Sequence, residues 1–218
     1  MNTHKLRVAL AGVLCGQSGK ITNAEDYLHS AVTVPLIDMD GKPAILFEVR
    51  SSKLQWQPGE ICFPGGRIES YDSSPLQAAL RETVEELGVS QEDIEVLGEM
   101  DYLVSPLGVI MYPYAVHISA QLPFTPNEDE VADVFTVPLD FLLTTKPQIA
   151  SMEVATKPLE GFPYELLPAD YPKGYRRRAE YQVLFYQYNQ YVIWGLTARV
   201  LTSFLDICRN RLAGGFGV

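Results

Sequence analysis

One segment near the middle of the chain carries local signals for both ends of an α-helix. Ser74 is a typical N-cap residue, Pro75 suits the first helical position, and Gln77 completes a capping box with Ser74. Gly88 is the kind of residue that ends a helix in the left-handed conformation. We therefore predict a helix that occupies the segment from Ser74 to Gly88.

The predicted helix has an apolar face and an acidic face. At about 100° per residue, the apolar face carries Leu76, Leu80, Thr83, Val84 and Leu87. Glu82, Glu85 and Glu86 share nearly the opposite face, where like charges repel by about 0.2–0.5 kcal/mol per pair, and Arg81 relieves part of that repulsion. Carboxylates are the ligands that Mg²⁺ or Mn²⁺ prefers, so the acidic face is either a metal site or a solvated surface.

A glycine pair precedes this helix in the run Phe63-Pro64-Gly65-Gly66, where the backbone is able to approach a ligand closely. The spacing from Gly66 to the run Arg81–Val89 resembles the Nudix box, G-x5-E-x7-R-E-U-x-E-E-x-G-U with U apolar. Two positions depart from that pattern. Asp72 replaces the first Glu and stands one residue farther from the Arg, and Thr83 replaces an apolar residue.

Residues before the box resemble the extra motif of the coenzyme A pyrophosphatase branch of Nudix hydrolases. That motif, L-L-x-x-R-S-x-x-L…G-x-x-x-F-P-G-G-x-x-D, is similar to Leu46–Leu54 and Gly59–Glu69. Gln57 stands where many members carry His, and Glu69 where they carry Asp. The branch also accommodates the longer box with Asp72. The resemblance covers about residues 30–145 and, more weakly, the stretch Trp194–Arg199.

The fold that the resemblance implies is of the α/β (α+β) class, a Nudix-type α/β/α sandwich with a mixed sheet and helical extensions at both ends. Interleaved strand and helix patterns agree with it. We predict strands at Ala31–Ile37 and Ala44–Val49, two or three strands in Ile94–Ser119, and a strand with a helical turn in Val134–Leu143.

The whole chain, residues 1–218, is expected to form one domain with its core at about 30–145. A C-terminal extension of about 150–218 ends in a predicted helix from Ile193 to Arg211. Alternation in Tyr181–Tyr188 predicts a strand packed on the core or on the second subunit of a homodimer, although the tyrosines between Tyr164 and Tyr191 also suit stacking on an adenine. At the N-terminus, residues 4–15 form a predicted amphipathic helix, packed through Leu6, Leu10, Val13 and Leu14.

The resemblance implies hydrolysis of a diphosphate with Mg²⁺ or Mn²⁺ as cofactor. Glu82, Glu85 and Glu86, with the backbone of Gly66, are the implied metal ligands, and Arg81 orients a glutamate. Family members use either a box glutamate or a later-loop glutamate as general base. Glu130 is the main later-loop candidate and Glu128 the other, although both also suit a solvated acidic turn.

The implied substrate is coenzyme A or acyl-coenzyme A, cleaved to 3′,5′-ADP and (acyl-)4′-phosphopantetheine. Arg50 and Lys53 are candidates for its phosphates, since guanidinium binds phosphate bidentately, or else form an exposed strand end. Gly65 and Gly66 would complete the phosphate site. A second basic patch, Lys173 with Arg176–Arg178, meets the 3′-phosphate or is a solvated loop.

Two other functions remain open at this stage. One is hydrolysis of ADP-ribose or another nucleoside diphosphate derivative, and the other is a non-catalytic Nudix module that senses a nucleotide. The second would be expected to have lost box glutamates, whereas Glu82, Glu85 and Glu86 are all present.

Composition excludes several classes of protein. The apolar fraction of 47% is enough for a core, yet no apolar run reaches the ~18–20 residues of a membrane span. A net charge of −10 disfavours nucleic acid and anionic membranes as partners. It does not exclude a small phosphorylated ligand, such as the nucleotide that the resemblance implies, where metal ions or a basic pocket offset the charge. Cys15, Cys62 and Cys208 are widely separated and predict reduced thiols in the cytoplasm.

Overall fold

The computed structural model describes residues 2–18, 20–119 and 124–213, without the side chains of residues 212 and 213. Its helices are α1 (Thr3–Leu14), α2 (Pro75–Leu87), α3 (Leu139–Thr144) and α4 (Gly195–Ala213). Its strands are β1 (Leu28–Met39), β2 (Lys42–Arg50), β3 (Ile61–Cys62), β4 (Gly65–Arg67), β5 (Ile94–Glu99), β6 (Leu103–Ser105), β7 (Val109–Ile118), β8 (Val131–Pro138), β9 (Gln148–Thr156), β10 (Arg176–Tyr188) and β11 (Tyr191–Trp194).

Strands β1 to β8 form one mixed sheet. β1 runs parallel to β7 and antiparallel to β2 and β4. β2 also pairs antiparallel with β3 and β8, while β5 and β6 pair antiparallel with β7. A second, antiparallel sheet has the order β11-β10-β9. The predicted mixed α+β class is therefore confirmed.

The sheet is covered on both faces, as the alternation in β2 shows. Ile45 and Phe47 belong to a core cluster that also contains Leu142 of α3 and Leu201 of α4. Leu46, between them, packs in a cluster with residues of α2. Because successive side chains of a strand point to opposite faces, α2 lies on one face and α3 with α4 on the other. The predicted α/β/α sandwich is confirmed, and Glu48 falls on the α2 face of β2.

The C-terminal extension shares the core of the main sheet. Tyr186 of β10 and Ile193 of β11 are buried in the same cluster as Phe47. The Tyr186 hydroxyl lies 2.9 Å from Oγ1 of Thr202 in α4, so a partner satisfies its polar end. The predicted strand in this region thus packs on the core of its own chain.

Helix α1 forms as predicted, but its predicted packing is wrong. None of its residues is buried, and the side chains of the expected stripe are exposed: Leu6, Leu10, Val13 and Leu14. Among the described residues, α2 packs on one face of the main sheet and α3 with α4 on the other, whereas α1 contributes no residue to these core clusters. Across the described residues, no helix is long and apolar enough to cross a membrane.

Candidate active site

Helix α2 begins and ends where its caps predict. The Ser74 hydroxyl accepts a hydrogen bond from the Gln77 N–H at 3.2 Å, and Gly88 is left-handed with φ 66°. The Gln77 side chain accepts from the Ser73 N–H rather than from Ser74, so the capping box is shifted by one residue. Local hydrogen bonds thus determine where the acidic helix starts.

The glycine pair lets β4 lie directly against α2 and β1. The Gly65 N–H donates to Oε2 of Glu86 at 2.8 Å, and its φ of +145° is one that L side chains rarely adopt. A Cβ on Gly65 would lie 2.3 Å from the Ala31 carbonyl oxygen, and one on Gly66 would lie 2.6 Å from the Glu82 carboxyl carbon. A larger residue at Gly65 would clash with the backbone of β1, and one at Gly66 would displace the carboxylate of Glu82.

Three carboxylates meet beside this glycine pair. Glu82, Glu86 and Glu130 each offer an oxygen, and the three oxygens lie within 4.8 Å of one another. Burial, followed by the charge of Glu48, raises the pKa of Glu86 well above its usual range, and burial also raises that of Glu82. Partly buried like charges of this kind are unfavourable unless a cation compensates them. Oxygen ligands at this density fit a divalent ion such as Mg²⁺ or Mn²⁺.

Glu130 reaches the cluster because its loop is tied on both sides. The Ser51 N–H, just after β2, donates to the Glu130 carbonyl at 2.8 Å, and the Ser51 hydroxyl donates to the Glu128 carbonyl at 3.2 Å. On the other side, the Asn127 N–H donates to the Glu86 carbonyl at 3.0 Å. The loop therefore carries Glu130 to the cluster, whereas Glu128 is exposed.

Arg81 connects the longer box to the carboxylates. Asp72 receives two hydrogen bonds from its guanidinium, both at 3.0 Å, and these hold the pKa of Asp72 below its usual value. The same guanidinium lies 2.9 Å from Glu82 and 3.2 Å from Glu85. The side chain of Glu85 is 53% exposed and lies outside the cluster. The structure thus groups Glu130 with Glu82 and Glu86, and a metal-binding role for Glu85 stays a prediction.

Thr83 occupies a box position where an apolar residue is expected, and its surroundings explain the exchange. Its hydroxyl donates to the Ala79 carbonyl at 2.7 Å and lies 2.8 Å from the hydroxyl of Thr33 in β1. Both threonines are fully buried. The hydrogen bond between Thr83 and Thr33 therefore links α2 to β1 at a position where the Nudix box has an apolar residue.

The two predicted phosphate ligands border the Glu130 loop without entering the carboxylate cluster. Nε of Arg50 donates to the Trp56 carbonyl at 3.3 Å. Nζ of Lys53 lies 2.6 Å from Asp129, and its side chain is 62% exposed. Such an exposed pair is worth only about 0–1 kcal/mol, and a phosphate-binding role for Arg50 and Lys53 stays a prediction.

The second basic patch lies on the exposed first half of β10. Arg177 pairs with Glu153 and Glu180, and Nε of Arg178 donates to Oγ1 of Thr156 at 2.7 Å. Arg177 thus has carboxylate partners of its own.

Glu48 is a site residue that the sequence reasoning missed. Its carboxyl is 1% exposed and accepts a hydrogen bond from the Cys62 thiol at 3.2 Å. Burial raises its pKa to about 7, with a further contribution from the charge of Glu130. One feature of the sequence could have identified it. Glu48 is a charged residue two positions after Leu46 and four after Ala44, on the same face of β2 as these two buried apolar residues.

A model of the NUDIX domain matches residues 27–155, more than half of the chain and the part that carries this site. The chain belongs to the Nudix family. Nudix hydrolases are pyrophosphohydrolases that act on acid anhydrides, bind nucleotide-like small molecules and generally use divalent metal ions, so this protein is a hydrolase of that class.

Two curated relatives illustrate the range of similarity. An uncharacterized Nudix hydrolase, NudL of Pectobacterium atrosepticum, is 35% identical over 174 residues, which cover 79% of each chain. The peroxisomal coenzyme A diphosphatase NUDT7 of Mus musculus is 39% identical over 119 residues, or 55% of this chain and 50% of the mouse protein. Among solved structures, a MutT/nudix family protein from Enterococcus faecalis aligns with TM-score 0.49 and 16% identity, covering 94% of this chain and 70% of the other.

Proposed function

We propose that this Nudix hydrolase cleaves the diphosphate linkage of coenzyme A or acyl-coenzyme A, with Mg²⁺ or Mn²⁺ as cofactor. The products are 3′,5′-ADP and (acyl-)4′-phosphopantetheine. The observation that carries the proposal is the cluster of Glu82, Glu86 and Glu130, three oxygens within 4.8 Å of one another beside the coenzyme A motif. The relative named as a coenzyme A diphosphatase supports the choice of substrate.

Divalent ions held by Glu82 and Glu86 of this cluster would neutralise the diphosphate and lower the pKa of an attacking water. Gly65 fixes Oε2 of Glu86 through its N–H, which leaves Oε1 of Glu86 to bind a cation. Arg81, anchored on Asp72, holds the carboxylate of Glu82 in place at 2.9 Å. These residues therefore pre-position the ligands before substrate binds.

Glu130 is the proposed general base, and Glu85 with Glu86 are the box alternatives. The loop ties at Ser51 and Asn127 keep the Glu130 carboxylate at the cluster, where the attacking water would have to lose its proton. A base must lie within hydrogen-bond reach of the proton it removes. Glu128, on the same loop, is exposed and outside the cluster, so it serves as a natural comparison.

The proposed determinants of substrate choice are two basic residues, Arg50 at the end of β2 and Lys53 just after it. The 3′-phosphate of coenzyme A is repelled by an acidic protein unless local cations bind it. Arg50 lies close enough to Glu48 for its charge to lower the pKa of that buried carboxyl, which supports a position at the edge of the site. Lys53 is held beside the Glu130 loop by an exposed ion pair. Both cations are therefore suited to binding the 3′-phosphate while the glycine pair accommodates the diphosphate.

The test is kcat/KM for coenzyme A, dephospho-coenzyme A and ADP-ribose, each with Mg²⁺ and with Mn²⁺, with products identified by mass. Coenzyme A is expected to react fastest and to release 3′,5′-ADP. A preference for ADP-ribose would replace the substrate and leave the Nudix chemistry intact. Failure of all three substrates to react with either metal would contradict the catalytic proposal.

A further inference from the structure

Glu48 has one carboxylate oxygen satisfied and one left without a partner. The Cys62 thiol donates to Oε1 at 3.2 Å, whereas Oε2 is fully buried and has no hydrogen-bond partner among the described residues. Burial raises the pKa of Cys62 well above its usual value, so the thiol stays protonated and remains a donor. Buried polar atoms are nearly always paired, and an orphan oxygen therefore requires an explanation.

The surroundings of Glu48 are mostly acidic. Besides burial, the charge of Glu130 on the loop raises the pKa of Glu48, whereas the charge of Arg50 lowers it. Glu86 of α2 lies beside the same carboxyl, and the charge of Glu48 raises the pKa of Glu86 in addition to the effect of burial. Strand pairing holds Glu48 in place, opposite Cys62 of β3 on one side and Val134 of β8 on the other. A rigid carboxylate in such a position takes up a proton, binds a cation, or destabilises the fold when it is ionised and unpaired.

We infer that Glu48 is a fourth carboxylate of the metal centre, with Oε2 contacting the cation of the Glu82–Glu86–Glu130 cluster directly or through one metal-bound water. The inference rests on the metal dependence in the proposed function. Cys62 orients the carboxylate by holding Oε1, and β2 delivers it from the sheet side of the site. Glu48 thus contributes a ligand group from outside the box helix.

This role gives Glu48 opposite effects on the metal-free and metal-loaded protein. Without a cation, the buried carboxyl destabilises the fold, so Glu48→Gln is expected to raise the Tm of the metal-free protein. With a cation, the same change removes a favourable contact and weakens metal affinity by at least about tenfold, as loss of outer-shell partners does in other metal sites. A purely structural carboxyl predicts the reverse pattern, a lower Tm with unchanged metal affinity.

The experiment titrates Mn²⁺ alone, without substrate, into wild type, Glu48→Gln and Glu48→Leu, and follows binding by calorimetry and by the EPR signal of free Mn²⁺. Glu95→Gln is the matched control, because Glu95 is exposed on β5, away from the cluster. The expected result is weaker binding in both Glu48 variants, unchanged binding in the control, and a smaller Mn²⁺-induced rise in Tm for the Glu48 variants.

The outcomes separate this inference from the proposed function. Wild type that binds no Mn²⁺ would overturn the metal centre and with it both proposals. Tight binding by wild type with an unchanged dissociation constant in Glu48→Gln would overturn the role of Glu48 alone. If neither Glu48 variant folds, a Mn²⁺-loaded crystal structure of wild type decides. Contact of Oε2 with the ion or with its bound water supports the inference, and absence of both contacts overturns it.

Discussion

Two charged regions of this Nudix hydrolase differ in how their charges are satisfied. The carboxylate centre comprises Glu82, Glu86 and Glu130 with Glu48 adjacent to Glu86. Glu48 and Glu86 are 1% and 4% exposed there, and both have acidic neighbours. In the ribbon formed by β9 and the first half of β10, Arg177 is about half exposed and pairs with Glu153 and Glu180. In the first region, the buried carboxylates of Glu48 and Glu86 have no salt-bridge partner among the described residues. In the second region, oppositely charged side chains pair with one another at the surface.

This difference shows that burial, more than charge pattern, identifies the functional region. Exposed charges are screened by water and salt within a Debye length of about 8–10 Å, and surface ion pairs contribute little. Buried carboxylates have no such screening, so their repulsion is relieved by a proton, as the raised pKa values of Glu48 and Glu86 indicate, or by a bound cation. Both regions show as charged clusters in the sequence, yet only one has the energetic need for a ligand.

The largest effect is expected when the charge of Glu86, the buried carboxylate of α2, is removed. Glu86→Gln is expected to lower kcat by at least about 10²-fold without unfolding the protein, because the carboxylate serves metal ions rather than the core. Glu85→Gln, at an exposed position of the same helix, is expected to cost less. Steady-state kinetics with circular dichroism on both variants measures this difference.

Two results would contradict that prediction. Full turnover by a folded Glu86→Gln variant would remove the metal assignment from α2. An equal loss in Glu85→Gln would show that the exposed carboxylate of Glu85, 3.2 Å from Arg81 in the structure, also serves the metal.

A second test compares two glutamates of one loop. Glu130→Gln is expected to slow the reaction by about 10²-fold, the low end of what a general base contributes, because Glu130 lies in the cluster. Glu128→Gln is expected to change the rate little, since the Glu128 carbonyl, and not its carboxylate, contacts Ser51. The measurement is the single-turnover rate at saturating substrate. Small, equal effects would return the base to the box helix.

A third test asks whether Arg50, beside the carboxylate centre, makes the enzyme prefer coenzyme A to dephospho-coenzyme A. Charge-assisted contacts to the 3′-phosphate are worth about 1.5–3 kcal/mol, or roughly 10- to 150-fold in kcat/KM. Arg50→Ala is expected to erase most of the preference for coenzyme A over dephospho-coenzyme A while sparing ADP-ribose. Arg178→Ala, which removes a cation from the ribbon, is the control and is expected to leave this preference unchanged. Loss of the preference in Arg178→Ala alone would assign the 3′-phosphate to the ribbon.

The smallest effect is expected from an exposed ion pair of the ribbon. Glu153→Gln removes a carboxylate that lies 3.6 Å from Arg177, with both side chains more than half exposed. The free energy of unfolding is expected to fall by less than about 1 kcal/mol, with kcat unchanged. Urea denaturation measures the first and the coenzyme A assay the second. A substantially larger loss of stability would show that the ribbon depends on its charges as the centre does.

Local signals in the sequence determined the parts of the molecule that depend on neighbours along the chain. The caps Ser74 and Gly88 set the ends of α2 through hydrogen bonds and backbone conformation close to those residues. Buried apolar runs predicted β1 and β2 because covered strands need side chains that pack on both faces. The spacing from Gly66 to the helix indicated the family for the same reason, since one short loop and one helix contain the whole motif.

Tertiary structure alone decided which carboxylates meet. Helical periodicity groups Glu85 with Glu82 and Glu86, yet the folded chain brings Glu130 to them. The hydrogen bonds of Ser51 and Asn127 position Glu130, and no sequence spacing reveals them. Glu48 was hidden for a related reason, because its importance lies in burial beside α2 and not in any pattern of charge.

The same distinction applies to α1. Periodicity predicted an apolar stripe on a helix, and the helix is present, but the stripe is exposed. A hydrophobic pattern records which face of a helix is apolar, and it contains no information on whether another surface remains to cover that face. Coverage depends on how α2, α3 and α4 share the two faces of the sheet, which only contacts between residues distant along the chain determine.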